Sequence, residues 1–350
     1  MAEDHYPRLT DRPEAFRGER VLVTGATGFI GRWVAGALSA CGAEVVVTAR
    51  DRNLMAGLVR DYEIAGSVVE ADLSRDTEVE SLVRDVKPAC TFNLAGYGVD
   101  PSEREPAVAE RLNVHLPATL ATVVSRHRVA SWPGAHLVHV GSALEYGSAS
   151  GDLDESTVGQ PTTLYGRTKL GGTTHLLERS ARGDLRVVVA RLFTVYGPGE
   201  DPRRLLPSLI AAAGRSDSLP LTSGNQRRDF TYVADVAEGL LRLAGCDARG
   251  GVVVNLATGR LTAVREFCLA AADALGITSD RLVFGALPTR PEEMSHDPVS
   301  IARLRAITGW VPPTTIREGV RATLDFLRSR APSPTGLAAS DSDAVASSHP

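Results

Sequence analysis

The sequence is poor in cysteine, nearly balanced in charge and without a long apolar run, and each shortage removes a class of function. Its four cysteines (Cys41, Cys90, Cys246, Cys268) are scattered with no CxxC pair. Neither a disulfide frame nor a zinc site is expected, no metal is assigned, and the thiols read as small core residues in a reducing, cytoplasmic setting. A formal net charge of −4 over 350 residues offers no basic surface to duplex nucleic acid, so an anionic substrate would need a local cluster of cations. No stretch reaches the ~18 apolar residues of a membrane helix. Residues 1–19 are polar and charged, so neither secretion nor membrane insertion is expected and this segment reads as a flexible terminus. Residues 331–350 (APSPTGLAASDSDAVASSHP) are too small and polar to bury a core and read as a disordered tail.

What is present begins with VLVTGATGFIG, Val21 to Gly31. Strand-forming residues run into glycines at spacing three (Gly25, Gly28, Gly31), and a small-residue apolar helix follows. This order predicts a dinucleotide site: Gly25 makes the tight turn, Gly28 lets backbone approach a pyrophosphate, and Gly31 lets the helix pack on the strand. Thr27, Gly28, Phe29 and Ile30 lie where the phosphates meet the helix N-terminus. The second strand, EVVVT, ends at Ala49, Arg50 and Asp51. A carboxylate at the end of this strand would accept hydrogen bonds from the adenosine ribose of NAD. Arg50 in its place suits a 2′-phosphate, which points to NADP(H), while a shift of one residue would let Asp51 serve NAD.

A third strand ends at Ala71, Asp72 and Leu73, with Asp72 placed for the adenine amino group. A helix is expected from Arg75 to Val86. The fourth strand runs into Leu94, Ala95, Gly96, Tyr97 and Gly98, small enough for a cofactor to approach the backbone. A helix with an irregularity at Pro117 is expected over 103–128, and a strand at His136–Val140 feeds Gly141 and Ser142. The next helix is expected to start at Pro161. Alternating strands and helices predict an α/β doubly wound parallel sheet over 20–194, completed by a late strand near 252–256. Prolines 198, 202 and 207 mark the passage to a smaller substrate-binding region, 195–330.

The second chemical signal is Tyr165 and Lys169, four residues apart and so one turn apart on a helix face. An ammonium beside the phenol is expected to favour phenolate and lower the Tyr165 pKa, suiting it to exchange a proton with an alcohol or ketone. Ser142, at a neighbouring strand end, can meet the same substrate oxygen.

With these motifs in hand, the chain resembles the extended short-chain dehydrogenases and reductases that act on nucleotide sugars, the epimerase/dehydratase family. The resemblance spans about Arg20 to Arg328 and rests on GATGFIG at Gly25, NLAG at Asn93, GSALEYG at Gly141, YGRTK at Tyr165, RLFTVYGPG at Arg191, RRDFTYVADVAEG at Arg227 and GWVPPTTIREGV at Gly309. It implies that Ser142, Tyr165 and Lys169 are the catalytic set. Tyr165 would trade a proton with the sugar oxygen, Ser142 would hydrogen-bond that oxygen, and Lys169 would bind the nicotinamide ribose. Asn113 resembles a supporting helix residue, although an ordinary helix asparagine fits the sequence as well. Arg228 resembles an arginine that contacts the diphosphate, Arg290 a second one, and Ala143 and Thr194 fall at substrate-contacting positions. His296, without a metal-spaced partner, reads as structural or pocket-lining.

Three departures discriminate among activities. Ala143 and Leu144 replace the Asp-Glu pair of the 4,6-dehydratases, so elimination lacks its acid and base. Glu145, in EYG, resembles reductases of 4-keto-6-deoxy sugar nucleotides. Thr194 replaces the usual asparagine of RLFN. With Arg50, the reading is an NADPH-dependent 4-ketoreductase of a nucleotide-linked 4-keto-6-deoxy sugar. A 4-epimerase with tightly held NAD is the alternative, and a non-catalytic NADP-binding sensor a second. The resemblance also implies a homodimer, with 103–128 and 161–182 as candidate contact segments.

Overall fold

The computed structural model describes residues 13–100, 102–288 and 295–330. Arg290 and the tail 331–350 lie outside the described residues, as do residues 1–12 of the amino-terminal segment. The first half alternates β1 (Arg20–Thr24), α1 (Phe29–Ala40), β2 (Glu44–Ala49), α2 (Asn53–Asp61), β3 (Gly66–Glu70), α3 (Asp76–Val86), β4 (Cys90–Asn93), α4 (Pro106–Glu110), α5 (Leu116–His127), β5 (Leu137–Ser142), α6 (Leu164–Ser180) and β6 (Val187–Leu192). The second half adds β7 (Thr194–Tyr196), α7 (Leu205–Ala213), β8 (Leu219–Leu221), β9 (Arg227–Tyr232), α8 (Val233–Ala244) and β10 (Val252–Leu256). It ends with β11 (Leu261–Ala263), α9 (Val264–Leu275), β12 (Leu282–Phe284), α10 (Ala302–Thr308) and α11 (Ile316–Arg330).

Seven strands form one sheet in the order β10-β6-β5-β4-β1-β2-β3, every pair parallel. Alternation along β1 sends Val21 and Val23 into a core shared with Trp33 and Val34 of α1. Leu22, between them, points to the other face, against Val79 of α3 and Leu120 of α5. Helices therefore cover both faces, as an all-parallel sheet requires. The chain leaves β1 toward β2 on one side and, later, toward β4 on the other; ligands bind in the crevice that such a reversal opens at the carboxyl ends of the strands. Residues after β6 build a three-stranded sheet, β11-β9-β7, and a two-stranded one, β12-β8. β10 returns to the edge of the large sheet, pairing Val252 through Leu256 with Val188 through Leu192.

Two expected boundaries move. The helix expected from Pro161 begins at Leu164, because Thr163 is its cap: the Thr163 hydroxyl accepts from the Gly166 amide at 3.0 Å. The irregularity expected at Pro117 is a π turn over Arg111–His115 that joins α4 to α5. Pro117 has no amide hydrogen to return to the Asn113 carbonyl, so the ladder widens just before it. Gly172 of α6 occupies the space beside that carbonyl, where a Cβ would sit 2.1 Å from the oxygen.

Candidate active site

The β1–α1 turn has the backbone a dinucleotide needs. Gly25 adopts φ +72°, and a side chain there would lie 2.6 Å from the Ala95 amide nitrogen. The turn after β1 and the strand end after β4 thus touch, with Leu94, Ala95 and Gly96 beside the glycines. α1 starts after Gly28 with no side-chain cap, which leaves first-turn amides around Phe29 and Ile30 for an anion. Thr27, Phe29 and Ile30 are half-buried at this end. The residues present fit a pyrophosphate.

At the far end of the crevice Arg50 is exposed immediately beyond β2. The Asp51 carboxylate accepts the Asn53 amide at 2.8 Å, so it is engaged in starting α2. The Asp72 carboxylate is held below its ordinary value by hydrogen bonds from Ser74, helped by the charges of Arg75 and Arg50. Arg50 and Asp72 therefore share one edge, with Leu73 half-buried next to them.

Ser142 ends β5 and Tyr165 and Lys169 lie on α6, with the Ser142 side chain near enough to the phenol to pull its pKa down. Lys169 is buried, and its Nζ donates to the Val140 carbonyl at 2.7 Å. That ammonium lies 5.9 Å from the centre of the Tyr165 ring. A Cβ on Gly96 would stand 3.4 Å from Lys169 Nζ, so the strand end expected to meet a cofactor also meets the lysine. Asn113, fully buried on the π turn, ties these parts together. Its side chain accepts from the Tyr97 amide (3.0 Å) and donates to the Tyr97 carbonyl (2.7 Å) and to Thr168 Oγ1 (2.9 Å).

The expected depression of the Tyr165 pKa is reversed in the protein alone. Burial pushes the phenol up and the charge of Glu145 adds to this, outweighing the Ser142 hydrogen bond. Lys169 is moved down to about 8 by burial, against the opposing pull of Glu145. Desolvation leads in both shifts, and Lys169 Nζ donates to the Val140 carbonyl.

A pocket opens among the residues that follow β6. Phe193, Thr194, Glu200, Arg204, Arg228 and Phe230 are among its walls. Its link to the chemistry is Arg204, whose charge reaches Tyr165. Thr194 and Arg228 are thus brought together in one pocket, and Ala143 is buried in a small cluster with Tyr146 and Phe193. Glu200 and Arg204 were not singled out from the sequence. Their signal was two acids and two arginines in the Gly/Pro segment GPGEDPRR, a composition that reads as an exposed loop. Glu200 is instead buried, with Oε2 unpartnered, and burial raises its pKa to about 7. The Thr194 hydroxyl is likewise buried without a partner. His296 supports the wall: its Nε2 accepts from the Asp229 amide at 3.0 Å and its ring meets Phe193 edge-to-face, with centroids 5.1 Å apart. Among the described residues no cluster of His, Cys, Asp or Glu could hold a metal ion, and no helix is long and apolar enough to cross a membrane.

Comparison with known proteins gives the same picture. The family model described as "NAD dependent epimerase/dehydratase family" matches residues 21–257. A dTDP-6-deoxy-L-talose 4-dehydrogenase (NAD(P)(+)) of Kitasatospora kifunensis is 30% identical, covering 86% of this chain and 93% of that protein. A UDP-glucose 4-epimerase of Mycolicibacterium smegmatis is also 30% identical, covering 89% and 99%. Among solved structures, MoeE5 in complex with UDP-glucose and NAD has a TM-score of 0.73 at 28% identity, covering 89% of this chain and 99% of that one. The chain belongs to the NAD-dependent epimerase/dehydratase family and is an NAD(P)-dependent enzyme of the extended short-chain dehydrogenase/reductase type.

Proposed function

We propose that this protein reduces the C4 ketone of a nucleotide-linked 4-keto-6-deoxy sugar at the expense of NADPH. The coarser part of that statement has this support: the relatives above act on or bind nucleotide sugars, and NAD(P) is named with two of them. The observation that carries the finer part is at the adenosine end: Arg50 stands where a ribose-binding carboxylate would be, and Asp51 is committed to the Asn53 amide. An exposed guanidinium there pairs with a 2′-phosphate. Similarity to a 4-dehydrogenase of a 6-deoxy sugar nucleotide supports the position and the sugar class.

In this reading residues 20–194, with β10, hold the dinucleotide, and the region after β6 holds the sugar nucleotide. Bound NADPH supplies the hydride. Ser142 and Tyr165 hydrogen-bond the ketone oxygen, the carbonyl carbon receives the hydride, and the electron pair left on oxygen takes the Tyr165 proton. Lys169, anchored by the Val140 carbonyl and facing the Tyr165 ring, would hold the nicotinamide ribose. Arg228 takes the diphosphate, and Thr194 and Ala143 face the sugar. Without an acid and base at Ala143 and Leu144, elimination has no catalyst. A homodimer is the assembly we propose, read out by sedimentation.

The test is NADPH consumption, with NADH as control, over a panel of nucleotide-linked 4-keto-6-deoxy sugars. Stoichiometric oxidation that falls by roughly 10²–10⁴ in Tyr165→Phe supports the reading. NAD released from the denatured protein, together with interconversion of two 4-epimeric sugar nucleotides, would replace it with the 4-epimerase to which similarity also extends.

A further inference from the structure

Glu145 is a carboxylate with no exposed surface, three residues beyond Ser142, where β5 ends. Nothing in proton transfer from Tyr165 calls for it, and burying a charge is costly unless it is paired. The structure pairs it fully. Oε1 accepts the Ser142 amide at 2.8 Å, and Oε2 accepts Thr173 Oγ1 at 3.0 Å and Arg191 Nε at 2.9 Å. The Arg191 side chain is 5% exposed and its guanidinium lies 4.5 Å from the centre of the Tyr146 ring. Room for the carboxylate is made by Gly141, where a Cβ would stand 2.5 Å from Oε1. With the Leu144 amide donating to Ser142 Oγ at 3.2 Å, the segment closes a reciprocal capping box around the serine.

We propose that Glu145 is a positioning residue: a buried negative charge that locks Ser142 against Tyr165 and keeps a proton on the Tyr165–Lys169 pair ready for delivery. The proposal rests on the reductase reading, in which each turnover takes one proton from Tyr165 and replaces it from solvent. Other charges face the pair as well. Glu103, from the loop after β4, acts on Tyr165 in the same sense as Glu145, and Arg204, before α7, acts against it. His139 of β5 is fully buried with its pKa pushed down, first by desolvation and then by the Lys169 charge, so it is neutral. Glu145 comes ahead of Glu103 and Arg204 in its effect on Tyr165, and it opposes the burial of Lys169. Both actions retain protons.

Proton release on dinucleotide binding tests this without a sugar substrate. NADP⁺ or NAD⁺ is added to the full-length protein in lightly buffered solution with a pH indicator, from pH 6 to 10, and Tyr165→Phe identifies the share that belongs to Tyr165. Glu145→Gln keeps an acceptor for the Ser142 amide, removes the charge and turns an amide NH2 toward Arg191 Nε, a donor–donor clash that the second substitution below relieves. Its release midpoint is expected about one pH unit below wild type, a tenfold loss of proton affinity. Glu145→Gln/Arg191→Gln, which leaves no unpaired buried cation, is expected to shift in the same direction by less. Folded variants with the wild-type midpoint overturn the proposal alone, since a purely structural Glu145 would not move it. If neither variant folds, Glu145 is structural and the proposal is withdrawn. A wild type that binds neither dinucleotide overturns the functional reading and this one with it.

Discussion

Tyr165 and Lys169 show what burial does to a pair that reads so plainly in sequence. Spacing four on a helix placed both on one face, and the strand end before them supplied Ser142, so the set was legible without coordinates. Its electrostatics were not, because nothing local to Glu145 in the sequence shows that Arg191 and Thr173 bind its carboxylate in the interior. Arg50 gives a direct test at this scale: Arg50→Ala is expected to raise the KM for NADPH by about ten- to a hundredfold, the loss of one charge-assisted phosphate contact of ~1.5–3 kcal/mol, while leaving that for NADH unchanged. Equal effects on both would remove the 2′-phosphate role. Glu200 carries a pH prediction. Its pKa rises from the ordinary 4.5 to about 7 because burial penalises the carboxylate. A raised pKa gives stability that is fully present below 4.5 and lost as pH climbs through about 7. Glu200→Gln should therefore stabilise the protein at pH 8, by at most about 3 kcal/mol, and bring little at pH 4. Melting temperatures of the two proteins across that range check the sign; a larger gain at the acid end would contradict it.

At the scale of elements, the first six strands and their helices follow from alternating runs of valine and leucine with glycine or polar breaks between them. Boundaries were harder where a side chain competes for the cap: Pro161 looked like a helix start, and Thr163 took the role. The π turn is the clearest case of structure hidden from periodicity. Pro117 advertised a disturbance, but its place and purpose depend on Gly172, over fifty residues away, packing on the freed Asn113 carbonyl. Gly172→Ala would put a methyl 2.1 Å from that oxygen and push α6 from the turn that carries Asn113. Overpacking of this kind costs about 1–3 kcal/mol. A lowered melting temperature with a larger proportional loss of kcat than of substrate affinity is expected; wild-type kcat in a folded protein would show that Asn113 does not organise the site.

For the whole molecule, strand order decides where chemistry happens. The reversal between β2 and β4 around β1 sets the dinucleotide crevice, and the chain after β6 wraps a second pocket around Thr194, Glu200 and Arg228 before β10 closes the sheet. The large sheet was legible because each strand announces itself locally. The pocket was not, because its walls come from short strands and loops whose convergence no local pattern encodes. Its chemistry reduces to one question, whether hydride leaves the cofactor for good. The most direct measurement supplies NADPH deuterated at the transferring C4 position, with a nucleotide-linked 4-keto-6-deoxy sugar, and follows the label by mass spectrometry. One deuterium at C4 of the sugar per NADPH oxidised is the expected result. A product without deuterium, formed while the NADPH stays unconsumed, would contradict net reduction and identify an enzyme that cycles its own bound cofactor.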